Sequence, residues 1–414
     1  MGHELKSKHL IKNEDIVCFS RSDWDTEMVS NRFHIMSRFA LNNRVFFFEK
    51  PFNPFIYIYA MMKGGTIYED NRGSFKKALR IIRKRSKKFY TITPFSIELP
   101  PINFIFIRIL NNTLLNSTLI TILYFCLIKS IFKIKKPILW FYDFRLEKLL
   151  KTYHQLSCYH LTEDYRNMEK TLRDEIAYKD VARAEDNLEK KVDVVFSVSE
   201  HLCNTHKVNN KKTFCIINGV DFKQYSSAWT LKRKEIILGY IGNISSKIEL
   251  DLLLKLSNEF KTAHIALVGP IRKIDTSKLN ILKKQKNITF YGKKDVRELP
   301  HILSSFSVCL IPFISEDWFV ECSQPLKLFE YMASGKPIVS TYMNCLKDLP
   351  DGYVYVSENH KEFIQNVHRA ITENNIDLVK KRIEFAGKYD WDIQFEKINL
   401  KMMDIARNKQ LFFQ

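Results

Sequence analysis

The sequence predicts an α/β protein of two domains, each built on a largely parallel sheet. Three observations carry this expectation. Short apolar runs alternate with helical patterns along both halves, the signature of βα units. The length of 414 residues suits two domains at roughly 100–200 residues each. Apolar residues make up 45% of the chain, an ordinary globular share that can fill two cores.

In the first half, strands are expected at Asp15–Ser20, Arg44–Glu49, Phe89–Thr93, Ile138–Tyr142, Tyr159–Thr162 and Asp193–Val198. In the second half they are expected at Ile236–Ile241, His264–Val268, Ile288–Tyr291, Val308–Ile311, Ile338–Ser340 and Val354–Val356. A further strand, KTFCIIN, runs into Asn218-Gly219-Val220-Asp221, and the polar stretch Phe222–Glu235 comes next. The linker is placed there. The domains are then 1–222 and 223–388, with a closing helix over 389–414 that begins in the aromatic segment YDWDIQF.

The formal net charge is +19, which favours contact with polyanions without choosing among nucleic acid, anionic membrane and nucleotide phosphates. In Ser74–Lys88, Phe75, Ala78, Leu79 and Ile82 fall on one helical face, and the rest is basic: Lys76, Lys77, Arg80, Arg83, Lys84, Arg85, Lys87 and Lys88. The expectation is a basic amphipathic helix whose charged face can meet anionic lipid. The apolar run Ile109–Ile128 is long enough to span a bilayer. It carries Asn111, Asn112 and Asn116, so it is read as a buried or membrane-grazing helix. The opening MGHELKSKHLIKNEDIV has charges where a signal peptide needs an apolar stretch, so a cytoplasmic chain, peripheral on the membrane, is expected. The eight cysteines form no CxxC pair and read as reduced thiols.

The chemistry concentrates in Glu321–Thr341, ECSQPLKLFEYMASGKPIVST. Pro325 opens a helix, Gly335 stands just past its end, and a strand comes next. A helix start presents free N–H groups and partial positive charge, so it can hold a phosphate. Lys327 lies in that first turn, where a cation is unfavourable to the helix dipole and a bound anion would explain it. Glu330, one turn on, could accept hydrogen bonds from two ribose hydroxyls. In Leu238–Leu254, LGYIGNISSKIELDLLL, a strand ends at Gly242, whose lack of a side chain lets a ligand approach the backbone. Lys247 is read either as a phosphate contact or as a solvated helix-start lysine. No GxGxxG occurs, so a dinucleotide cofactor gets no support. No metal-ligand spacing occurs either; Asp23–Asp25 is D-x-D by spelling alone, and neither metal nor cofactor is expected.

The segment PLKLFEYMASGKPIV resembles the signature of GT-B glycosyltransferases. It is especially similar to the large retaining family 4, in forms that assemble capsule, teichuronic-type and other surface polysaccharides. The resemblance implies two Rossmann-like domains facing each other across a cleft, with the last helix crossing back to the first domain. It implies that Glu330 binds the donor ribose and that Leu326 and Lys327 lie against the diphosphate. Gly242 and Asn243 would face diphosphate and sugar; Gly292 and Lys293 would lie beside the base. The family often has a second Glu eight residues before the ribose Glu; here that position is Cys322, and the neighbouring Glu321 and Ser323 are the expected donor contacts of this loop. Asn243 also stands where an Arg is commonest.

The N-terminal half keeps the same family order in DIVCFSRSDWDTE, RVFFFEKP, CYHLTEDYR and NGVDF. Acceptor residues are sought after its strands: Asp23 and Trp24, then Asp143. Asp164 is the candidate for the reaction centre, as a general base, as a group that stabilises an oxocarbenium-like state, or as a plain helix cap. His34 and His160 are read as structural or solvated. The expected activity is sugar transfer from a nucleotide sugar to a hydroxyl of a glycan or lipid-linked acceptor. A GT-B nucleotide-sugar 2-epimerase is the alternative, and a non-enzymatic polyanion-binding protein is a more distant one; no nucleic-acid motif supports the latter.

Overall fold

The structure is a computed structural model. It describes residues 10–20, 22–25, 30–63, 80–96, 117–166, 175–228, 235–272, 274–315, 318 and 322–411. The first sheet contains β1 (Asp15–Phe19), β2 (Arg44–Phe48), β3 (Ile82–Ser86), β4 (Phe89–Ile92), β5 (Ile138–Phe141), β6 (Leu156–Leu161), β7 (Val194–Ser197) and β8 (Thr213–Cys215). Its order is β3-β4-β2-β1-β5-β6-β7-β8, and only the β3–β4 pair is antiparallel. The second sheet contains β9 (Ile237–Ile241), β10 (His264–Val268), β11 (Ile288–Gly292), β12 (Val308–Ile311), β13 (Ile338–Thr341) and β14 (Tyr355–Ser357). It is parallel throughout, in the order β11-β10-β9-β12-β13-β14.

Strands such as VFFF, ILWF and VCLI are apolar on both faces because both faces of a parallel sheet are covered. Their side chains divide into two clusters flanking the first sheet and one in the second domain. All twelve expected strands form at the places read from the sequence, with β6 starting at Leu156 instead of Tyr159. In each sheet the order reverses at one point, between β1 and β5 and between β9 and β12. The crevice outside the carboxyl ends of the strands at such a point is where open α/β sheets bind ligands.

The basic segment Ser74–Lys88 departs from the expectation. Residues 74–79, with Lys76 and Lys77, lie outside the described residues, but β3 is an edge strand and not a helix. A period of two explains it. Arg83 reaches Glu49 and Thr93, and Arg85 reaches Asp25 and Thr91, from the same side of the strand. Antiparallel pairing with β4 outweighs a short apolar stripe whose Ile82 stays 37% exposed. Of the run Ile109–Ile128, residues 109–116 lie outside the described residues. The remainder belongs to a helix, Ser117–Ile131, that buries Phe125 and Ile128 on the sheet. Among the described residues no helix is long and apolar enough to cross a membrane.

The last helix, Trp391–Asn408, crosses back to the first domain. Trp391, Phe395, Ile398, Met402 and Ile405 join the cluster that holds Ile35, Phe39 and Trp140. The two chain crossings run side by side: Val220 N–H donates to the Tyr389 carbonyl at 3.0 Å, and the Val220 carbonyl accepts from Trp391 N–H at 3.0 Å. Arg38 ties both to the first domain, bonding Asp221 at 2.9 Å and Asp392 at 2.7 Å. His34, stacked on Trp391 at 4.6 Å and lowered to about 4 by burial, is structural as expected.

Candidate functional site

Between the carboxyl edges of the two sheets lies a cleft of about 720 Å³, within the ~300–1,000 Å³ usual for ligand pockets. Its C-terminal wall begins with the helix Leu326–Ala333. Pro325, at φ −69, sets the chain entry, and Leu328, Phe329, Met332 and Ala333 bury the opposite face. Gly335, at φ 69, releases the chain into β13. The first turn opens on the cleft through Leu326 and Lys327, and the next through Glu330.

Facing that turn, the chain leaves β9 at Gly242 and Asn243. Gly242 has φ +149, and a Cβ there would meet Lys327 Nζ at 2.6 Å and Tyr240 Oη at 2.8 Å. The glycine is therefore required both by its conformation and by the lysine packed against it. Lys327 Nζ donates to Tyr240 Oη at 3.0 Å and lies 4.3 Å from the Tyr240 ring centre and 4.6 Å from that of Phe313. This aromatic cage holds a cation where an anion can reach it. Enclosure lowers Lys327 to about 7, opposed by Glu330 and aided by Lys247. Enclosure likewise pushes Glu330 up to about 7, opposed by the Tyr225 hydroxyl and Lys327. Tyr225 is buried, and its hydroxyl is turned toward Glu330.

Lys247, Arg272, Lys293 and Lys294 add positive charge around the same wall. Ser323 and Asn243 line it too, whereas Gly292, at φ 65, sits just before Lys293 and outside the lining. Glu321 lies outside the described residues. The helix start, the lysine and the surrounding cations together can neutralise a diphosphate, and a carboxylate one turn along can take vicinal hydroxyls.

The opposite wall comes from the first domain: Ser30 to Arg32 at the start of the helix Asn31–Asn42, and Thr162 to Asp164 after β6. Asp164 is buried. It lies beside Cys322, whose thiol burial pushes up to about 12, with the Asp164 charge acting in the same direction and Lys247 against it. The two walls thus bring Asp164, Cys322 and Lys247 together. Asp23, Trp24 and Asp143 do not line this cleft. Trp24 packs on Phe33, Phe47 and Phe89. Asp143 bonds Arg145 and caps a short helical turn, beside a separate small hollow.

Three contributions carry no motif of their own in the sequence. Asn31 accepts from Tyr142 at 3.0 Å and donates to Asn218 at 3.0 Å, and Asn218 donates to the Gln324 carbonyl at 2.8 Å. This relay joins the helix Asn31–Asn42, through the segment after β8, to the loop before the Lys327 helix. Asn218 is visible in NGVDF; Asn31 has no local signal. Arg32 and Arg272 are cleft residues that sequence reasoning missed as well. Among the described residues, one group has metal-ligand spacing: Glu185, Glu189 and His206, all buried. Arg166 occupies it, bonding Glu185 at 2.7 Å, and His206 bonds Glu189 at 2.5 Å. A protein cation therefore already balances its charge.

Residues 235–373 match the family model described as Glycosyl transferases group 1. The chain is 25% identical over 245 residues to the putative teichuronic acid biosynthesis glycosyltransferase TuaH of Bacillus subtilis strain 168, a match that covers 55% of this chain and 61% of that relative. Sucrose-phosphate synthase from Thermosynechococcus elongatus superposes with a TM-score of 0.67 at 15% identity, covering 96% of this chain and 99% of its own. Anabaena Alr3699/HepE in complex with UDP and glucose gives 0.64 at 12% identity, covering 95% and 100%. The catalytic domain of starch synthase IV from Arabidopsis thaliana, bound to ADP and acarbose, gives 0.62 at 9%, covering 96% and 100%. The likeness to these structures is one of fold, the GT-B arrangement of two Rossmann-like domains.

Proposed function

We propose that the chain is a glycosyltransferase that moves a sugar from a nucleotide diphosphate sugar to a hydroxyl of a glycan or lipid-linked glycan in surface polysaccharide synthesis. The observation that carries this reading is the pairing of Lys327 and Glu330 on a helix start that faces Gly242 across an interdomain cleft. The diphosphate meets the free N–H groups near Leu326 and the Lys327 ammonium, and the ribose hydroxyls donate to Glu330. Lys293 borders the base. Lys247 and Arg272 neutralise charge that develops on the leaving diphosphate, so no metal is required. Asp164, on the opposite wall, either takes the acceptor proton or stabilises a cationic sugar. Retention of configuration accords with the family 4 resemblance. Closure of the domains about the Asn31–Asn218–Gln324 relay excludes water from the transfer.

The acceptor end of the chain is assigned to the cytoplasmic membrane face, without a span. Support comes from the exposed stripe Leu119, Leu123, Leu127 and Ile131 on one helix and from the exposed Lys133, Lys135 and Lys136 just after it. Arg80, Lys84, Arg85 and Lys87 of the hairpin are exposed as well, so the basic segment keeps its electrostatic role as a strand.

The decisive experiment is a thermal-stability screen with UDP, ADP and GDP sugars, since a ligand that binds only the folded state raises its stability. One nucleotide sugar should raise Tm, and free nucleotide diphosphate should be released only when a hydroxyl acceptor is supplied. A chain that none of these donors stabilises is not a nucleotide-sugar enzyme. Turnover of the donor without acceptor would favour the epimerase.

A further inference from the structure

We infer that Arg32 is the receptor for an anionic group, a carboxylate or phosphate, borne by the substrate part that fills the N-terminal side of the cleft. The inference rests on the reading of that cleft as a donor and acceptor site. Arg32 is the second residue of the helix Asn31–Asn42 and lines the cleft. Its guanidinium lies over the Tyr142 ring at 5.1 Å. Among the described residues its hydrogen-bond partners are hydroxyls, Ser22 Oγ at 3.1 Å and, at the long distance of 3.4 Å, Tyr165 Oη. Its Nε is buried with no acceptor among the described residues.

The contrast with other enclosed arginines is what makes Arg32 informative. Arg38, Arg83, Arg166 and Arg382 each bridge a carboxylate. Arg32 makes no such bridge among the described residues; Glu163, which borders the same cleft, favours its charge from a distance without bonding it. A shielded guanidinium with unmet donors is costly. A fold that keeps one at a ligand cleft gains when the ligand supplies the missing acceptor. The flat, fixed fork of N–H groups suits a carboxylate or phosphate taken two oxygens at a time. The cations assigned to the diphosphate all come from the second domain, so Arg32 is not needed there. Its anion belongs to the transferred sugar or to the acceptor.

The test compares charged and neutral probes on the full chain by calorimetry. UDP-glucuronate against UDP-glucose reads a carboxylate on the transferred sugar. In protein saturated with UDP, decyl phosphate against decyl glucoside reads an acceptor phosphate. The wild type should prefer the anionic member of at least one pair by tenfold or more, about 1.4 kcal/mol. Arg32→Gln should abolish that preference, and Arg32→Lys should keep part of it. Equal binding within both pairs overturns the assignment, as does a preference that survives in Arg32→Gln. A fall in Tm of Arg32→Gln with no change in selectivity would make the residue structural instead. The nucleotide of the pairs is the one that the donor screen selects; failure of UDP, ADP and GDP alike to bind would strike the donor reading, whereas nucleotide binding without charge preference strikes only Arg32.

Discussion

Glu330 and Lys327, three residues apart on one helix face, are both brought to about 7 by enclosure, so donor affinity should respond to pH from both sides. In the proposed donor site Glu330 takes both ribose hydroxyls as the carboxylate, and protonation turns one of its acceptors into a donor. Below about 7 it gains a proton and binding weakens as pH falls. Lys327 attracts the diphosphate only as the ammonium. Above about 7 it loses its proton and binding weakens as pH rises. The expected profile of nucleotide diphosphate affinity is a bell centred near neutrality, measured by calorimetry from acid to alkaline buffer. Glu330→Gln should lower affinity at least tenfold, about 1.4 kcal/mol, and erase the acid flank. Lys327→Met should erase the alkaline flank. A flat profile in the wild type would remove both groups from the ligand. Gly242→Ala probes the same pair from the other side. Its methyl would stand 2.6 Å from Lys327 Nζ on backbone at φ +149. Donor affinity should drop by roughly tenfold or more; unchanged affinity would mean that the cage around Lys327 is not used.

At the scale of elements, the strands and the helix Leu326–Ala333 are legible in the sequence because their signals are local. Pro325 and Gly335 bracket the helix in sequence as they do in space, and apolar runs such as VCLI mark buried strands whatever their neighbours. The β3 hairpin is not legible, because Phe75, Ala78, Leu79 and Ile82 satisfy a helical period while the acids that pair Arg83 and Arg85 are Glu49 and Asp25, far off in sequence. The cleft shows the same division. Glu330, Lys327 and Gly242 belong to contiguous motifs and can be found there; Asn31 and Arg32 matter only because the fold sets them opposite Asn218 and Tyr142. Asp143 falls outside the cleft for the same reason: a position just past a strand end does not reveal its partner, and here Arg145 claims the carboxylate. The crossing helix is readable from YDWDIQF, and it offers a test. Trp391 is 1% exposed and stacks on His34. Trp391→Ala should cost ~3–5 kcal/mol, read as a lower denaturation midpoint. A change within ~0.5 kcal/mol would mean that the helix does not fasten the first domain.

At the scale of the whole molecule, the question is what the exposed apolar surface of the first domain meets. The +19 charge draws the protein toward anionic surfaces over about a Debye length, ~8 Å at physiological salt, and each Lys or Arg near such a surface contributes ~1 kcal/mol. Charge alone would leave the protein hovering. The helix Ser117–Ile131 adds Leu119, Leu123, Leu127 and Ile131, spaced one turn apart and between 46% and 62% exposed. The helix Pro54–Lys63 adds Phe55, Ile58, Met61 and Met62. A row of leucines on water with lysines at its end suits the boundary between headgroups and acyl chains. The protein should therefore sediment with vesicles containing anionic lipid, bind neutral vesicles far less, and be released by high salt. Leu123→Glu with Leu127→Glu should weaken binding at least tenfold, since each leucine that enters the bilayer contributes ~1.5–3 kcal/mol, while both residues lie outside the donor cleft and should leave nucleotide affinity unchanged. Release that requires detergent would mean anchoring deeper than these faces provide. No binding to anionic vesicles at low salt would leave the exposed row without a membrane partner and would place the acceptor in solution.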